Sequence, residues 1–267
     1  MLVLFAGGQF FRVRYVNNRK LPVKENLLRS PGESLRKEME KLNELLILFC
    51  TIGVALPVFV AGAMPNPLSP IPFVFLLSLA TAGVFPALLT LKKVRLYGLG
   101  LSGERAVGEE LNRLMLEGYH VFHDYPAGPT WNIDHIAVGP SGVYAIETKT
   151  CRKQRPKKGG PDHEIIFDGK VLRFPCWTTT CGLEQARNNA ARLTDELSKA
   201  LAEPIHVKAV LTFPGWFVRV TGKSDVSVLN PKQIHGLVVS DGAPKLSSKQ
   251  IEQIAFRIEE KCRDVEF

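Results

Sequence analysis

Charge is missing from the first third of this chain over a stretch longer than a soluble element carries. From Leu45 to Leu91 there are 47 residues without an Asp, Glu, Lys or Arg. One bilayer crossing needs about 20 apolar residues, and the segment Met64–Pro72, with four prolines and an Asn, falls midway as a turn. The run therefore predicts two transmembrane helices, about 45–64 and 72–91. The competing reading, two buried core helices, is disfavoured because a soluble fold rarely leaves both without one charge. The turn between them also lacks Lys and Arg, whereas nine basic residues precede the first span and Lys92, Lys93 and Arg95 follow the second. That asymmetry predicts a multi-pass protein of the cytoplasmic (inner) membrane with both termini in the cytoplasm. Pro57 and Pro86 are tolerable inside spans and are expected to kink them. The opening LVLFAG is too short for a signal-peptide core and has no basic residue before it, so no cleavage is expected.

Cysteine is also scarce. Cys50, Cys151, Cys176, Cys181 and Cys262 are odd in number and irregularly spaced, which argues against a disulfide scaffold and for a reducing compartment. A zinc site drawn from Cys151, His163, Cys176 and Cys181 is conceivable, but structural zinc usually shows two tight ligand pairs and this chain has one loose pair. No internal repeat is visible. What is present is 45% hydrophobic residues, too many for a disordered chain, and a net charge of +8 with pI ≈ 9.3. Such a surface attracts polyanions, either nucleic acid or the anionic leaflet of a membrane, and charge alone does not separate the two.

Three parts follow: a basic N-terminal segment 1–44, the apolar pair 45–91, and a soluble α/β part 95–267. In the last, hydrophobic periodicity predicts a helix near 102–117 and strands near 119–124, 131–138 and 143–149. A strand pair about the Asp168-Gly169 turn and a helix near 182–202 come next. Strands near 205–213, 216–221, 226–229 and 236–240 and a helix near 247–263 complete it.

WNIDHIAV (131–138), a four-residue connection and VYAIETK (143–149) read as a β-hairpin. Pairing outward from the loop sets Val138 against Val143, Ile136 against Ala145, and Asp134 against Glu147. Opposed like charges destabilise a sheet, so a positive species belongs between them, and a divalent cation is the obvious candidate. Alternation puts Lys149 on the face of Glu147. Two acids and a lysine are the parts that phosphodiester hydrolysis needs: ligands for a metal that lowers the pKa of a water, and a positive group for the developing charge. A surface ion pair between Glu147 and Lys149, with Asp134 solvated, is the bland alternative. On the preceding helix, Val107, Leu111, Leu114 and Met115 form an apolar stripe with Glu104 at its centre. A carboxylate there needs a partner, unless it merely suits the dipole of the helix start.

GLSGERAVGEELNRL, GYHVFHDYP and NIDHIAVGPSGVYAIETKT together resemble the nuclease-related domain (NERD), a branch of the restriction-endonuclease-like superfamily, over about residues 98–213. The resemblance implies a restriction-endonuclease-like mixed sheet flanked by helices. It implies metal ligation by Asp134 and Glu147, a catalytic role for Lys149 and an accessory acid at Glu104. A later-helix glutamine of related folds matches Gln185. On that helix Gln185, Asn189 and Arg192 share a polar row, which meets either a sugar-phosphate backbone or solvent. His135, on the opposite face from Asp134, reads as a packing residue. The loop bearing Arg152, Lys153, Arg155, Lys157 and Lys158 is placed to hold phosphates or to lie on anionic lipid. Trp131, Tyr125 and Trp177 are read as core more readily than as base-stacking groups.

The expected function is thus a membrane-anchored nuclease using Mg²⁺ or Mn²⁺ on nucleic acid, with DNA the favoured substrate. The alternative is a non-catalytic nucleic-acid-binding or membrane-complex assembly module of the same fold.

Overall fold

The computed structural model describes residues 26–128, 131–154, 162–240 and 245–265. After a two-residue strand β1 (Leu27–Leu28), helix α1 (Glu33–Cys50) continues through a wide turn, Thr51–Ala55, into α2 (Leu56–Ala63). The widening has a local cause. Pro57 has no N–H and its ring meets the carbonyl four residues back, so the helix opens there and Leu56 donates its N–H to the Thr51 carbonyl, five residues back. Helix α3 (Pro70–Asn112) starts on a proline, where no N–H is missed, and carries Pro86 inside it without a break.

The two long helices, Glu33–Ala63 and Pro70–Glu117 with its terminal 3₁₀ turn, are long and apolar enough to cross a membrane. Only 6% and 11% of their most apolar windows are buried, which is not how a core helix of a soluble protein looks. They touch closely at Gly53 and Gly83, where a Cβ on Gly83 would collide with the backbone nitrogen of Gly53. Two glycines facing each other are what let the backbones approach this closely.

The helix expected near 102–117 is not a separate element: α3 runs unbroken from the apolar stretch to Asn112. Gly98 and Gly100 do not end it, because they sit against Met39 and Leu35 of α1 and are held by that packing. The stripe predicted on this stretch buries Val107, Leu111 and Leu114, but Met115 is exposed because a 3₁₀ turn (Arg113–Glu117) shifts the phase there.

Strands β2 (His120–Pro126), β3 (Asn132–Gly139) and β4 (Gly142–Thr148) form an antiparallel meander. β4 then pairs in parallel with β8 (Val207–Thr212), and β8 with β10 (Val226–Leu229). The order is β10-β8-β4-β3-β2, which makes β4 the central strand, buried along its whole length. A smaller mixed sheet, β7-β6-β5-β9, uses β5 (Glu164–Phe167), β6 (Leu172–Arg173), β7 (Thr178–Thr179) and β9 (Phe217–Val220). Helices α4 (Leu183–Leu201) and α6 (Ser248–Cys262) pack on one face of the large sheet, while α3 and α5 (Pro231–Ser240) cover the other. The protein is therefore a mixed α/β fold with two mixed sheets flanked by helices.

The strand expected near 236–240 is instead the second half of α5. Its β-branched run suggested a strand. Asn230 decides otherwise: its side chain accepts the Lys232 N–H at 3.0 Å, Pro231 opens the helix, and Ile234 and Val238, four apart, bury against the sheet.

The segment before α1 is tied to the domain. β1 pairs with β11 (Arg263–Val265), and Arg29 donates to the backbone carbonyl and carboxylate of Asp124 at 2.9 and 3.1 Å. Ser34 donates to the same carboxylate from its N–H and its hydroxyl, at 3.0 and 2.5 Å. The start of the hairpin is thus clamped to β2.

Candidate functional site

The site assembles at the C-terminal end of β4. The β3–β4 register pairs Val138 with Val143 and Ile136 with Ala145, and its last rung is His135 with Ile146. Asp134 lies one residue beyond, and instead of standing across a rung it accepts the Thr148 N–H at 2.7 Å. Glu147 is buried, and the parallel ladder to β8 sets it opposite Leu211. Lys149 follows, its N–H held by the Thr212 carbonyl at 2.9 Å. Its ammonium donates to Glu147 Oε1 and to Gln185 Oε1, both at 2.8 Å. Asn189, one turn after Gln185 on α4, donates to Glu147 Oε2 at 2.9 Å. From the opposite layer α3 brings Glu104, which is 7% exposed. Beside it Gly103 leaves room for Thr150, whose hydroxyl a Cβ there would strike.

The electrostatics are those of acids held against their preference. Burial, then the charges of Asp124 and Glu147, push the Glu104 carboxyl up to about 8. Burial, with Glu147 and Glu104, raises Asp134 well above the ordinary range against the pull of the Thr148 N–H and Lys149. Burial raises Glu147 as well, opposed by Lys149 and Asn189. Lys149 is held above its ordinary value: its burial works against the charge, but Glu147 and Asp134 outweigh it. One ammonium therefore serves three acids.

Buried polar atoms without a protein partner among the described residues are Glu104 Oε2, His135 Nε2 and the hydroxyls of Thr148, Thr150 and Thr212. All but the histidine belong to this strand end, where Thr148 pairs with Thr212. An orphaned carboxylate oxygen among raised acids is a donor set that suits a hard divalent cation. No three His, Cys, Asp or Glu side chains stand as a formed metal cluster among the described residues.

Glu104, Asp134, Glu147, Lys149 and Gln185 are thus brought to one region. Arg152 and Lys153 leave it on the exposed loop that follows, with the Lys153 ammonium 5.8 Å from the centroid of the Trp216 ring. Arg155, Lys157 and Lys158 lie outside the described residues. His135 is fully buried and shares a 2.9 Å hydrogen bond between Nδ1 atoms with His123. Burial lowers both, His123 to about 4. Tyr125 is core, and Trp177 stacks on Phe174. Trp131 instead carries the Arg192 guanidinium, 4.4 Å from its ring centroid. Cys151, Cys176 and Cys181 are free thiols.

Two residues escaped sequence reasoning. The sequence sets Asn189 in a polar row that suits solvent as well as any contact, yet it is 2% exposed and grips Glu147. Asp124, also 2% exposed, adds its field to Glu104 while bonding Arg29, Ser34 and Asn132. Its one local signal is an acid inside a strand.

Fold and site together define a mixed α/β domain whose central strand ends in a buried acidic centre. Residues 99–214 match the family model of the nuclease-related domain, NERD, and that stretch contains every acid of the centre together with Lys149 and Gln185. At the family level this part of the chain is similar to nuclease-related domains. No curated protein and no solved structure matches the chain.

Proposed function

We propose that the protein is a divalent-metal-dependent nuclease that hydrolyses phosphodiester bonds of nucleic acid, with DNA the expected substrate. The α1–α3 hairpin would anchor it in the lipid of the inner membrane, with the domain and both termini on the cytoplasmic side. The observation that carries the reading is the gathering of Glu104, Asp134 and Glu147 about Lys149, within the segment that resembles nuclease-related domains.

Asp134 and Glu147 would hold Mg²⁺ or Mn²⁺, with Glu104 as the third acid. When bound, the ion supplies an acidified water and neutralises phosphate charge. Lys149, once free of Glu147, orients the attacking water or steadies the phosphate oxygens. Gln185 positions that ammonium, and Asn189 fixes the rotamer of Glu147. Arg152 and Lys153, with Arg155, Lys157 and Lys158, supply phosphate contacts beside the strand end.

A second reading is a non-catalytic module that binds nucleic acid or assembles a membrane complex. It is favoured by Lys149 already being paired with Glu147. Incubating the full chain with labelled single- and double-stranded DNA and RNA, in Mg²⁺, Mn²⁺ or EDTA, decides between them. Cleavage that needs metal and is lost in Glu147→Gln and Lys149→Ala is expected. Binding without cleavage in every condition would make the second reading the correct one.

A further inference from the structure

Alongside the acidic centre lies a cavity of about 510 Å³. Trp131 forms one wall, partly buried against the main core, and the exposed Arg192 of α4 lies over its ring at 4.4 Å from the centroid. Among the described residues Arg192 forms no ion pair with a carboxylate. The rest of the lining is the Thr180 hydroxyl, the Cys181 thiol, Gly182 and the amides of Gln185, Asn188 and Asn189, with Glu184 as its one carboxylate. One cation against one anion gives a phosphate no net attraction there. A nucleobase, by contrast, offers a π face to the guanidinium and the indole ring, and hydrogen-bonding edges to the amides. Gln185 lines the cavity and also holds Lys149, while Asn189 lines it and holds Glu147. A base seated here is therefore one side chain away from the acids.

We infer that Trp131 and Arg192 form a stacking platform for an unpaired nucleobase of the strand being handled, with the edge met by Asn188 and Thr180. The inference rests on the nucleic-acid reading above and narrows it. Bases inside an intact duplex have both faces covered, so the platform selects a single strand or a frayed end.

The test uses the full chain in detergent with EDTA, so that no cleavage is needed. Fluorescence anisotropy is measured with a labelled single strand, the blunt duplex of the same sequence, and an abasic strand of equal length. The single strand binds more tightly than either of the others. Arg192→Ala and Trp131→Ala each weaken it about tenfold and leave the abasic strand unchanged, while Trp131→Phe keeps most of the affinity. Because Arg192 is exposed on a helix, its variant folds even where Trp131→Ala does not. An equal loss on the abasic strand makes Arg192 a phosphate contact and overturns the platform, as does no loss on either strand. A chain that binds none of the three ligands overturns the nuclease reading too. One that cleaves normally with both variants unimpaired overturns the platform alone.

Discussion

Glu104 makes the stability of the metal-free domain depend on pH in a direction that can be worked out. Its carboxyl rises from 4.5 to about 8 in the folded protein, so the folded state holds a proton that the unfolded chain has released. Stability from this group is complete below about 4.5 and is lost as pH climbs through 8. At about 1.4 kcal/mol per pH unit, the loss reaches up to about 5 kcal/mol. For a domain of this size that is roughly 10–20 °C in melting temperature. The raised values of Asp134 and Glu147 act with the same sign. Glu104→Gln should therefore flatten the decline of melting temperature between pH 4.5 and 8.5 in EDTA, and leave the variant more stable than the parent at pH 8.5. Added Mn²⁺ should recover the parent at pH 8.5, because a ligand of the ionised folded site stabilises by mass action. Thermal melts of the full chain in detergent, scanned in pH with EDTA or Mn²⁺, measure both effects. A parent and a Glu104→Gln variant that melt in parallel across the whole range would refute the account of Glu104 as a buried, proton-holding acid.

Three further outcomes follow from other contacts. Asn189→Ala removes a buried bond to a carboxylate and should cost about 2 kcal/mol, read by chemical denaturation, with Asn189→Leu faring no better; an unchanged midpoint would detach Asn189 from Glu147. Arg29→Ala leaves the buried Asp124 charge short of its cation, which should cost about 3 kcal/mol and open the segment before α1 to protease. Resistance equal to that of the parent would count against the clamp. Gly83→Leu places a side chain into the backbone of Gly53 and should separate the hairpin, seen as a loss of crosslinking between cysteines introduced on the two helices either side of the crossing, with Gly53 kept; full crosslinking would refute the close crossing.

Local patterns already contained the two apolar helices, the β-hairpin register and the acids at its open end, because each depends on neighbours within a few residues. A long charge-free run is read from the sequence alone, and the tight turn at Pro140 and Ser141 sets the pairing of Val138 with Val143 whatever surrounds it. The centrality of β4 was not legible. It depends on β8 arriving in parallel from sixty residues away, and that pairing is what buries Glu147. Asn189 looked like a solvated helix position because amphipathicity counts polar side chains as outward, whereas here the helix's polar edge faces the strand end and bonds its acid. The Val238 region read as a strand from its β-branched run, and only the Asn230–Pro231 start and the packing of Ile234 and Val238 made it helical. The role of Asp124 likewise appears only when the segment at Arg29 folds back over ninety residues to meet it. Residue types and spacings thus named the acids and the lysine, but burial raised their proton affinities, and burial is a property of long-range packing that no local pattern carries.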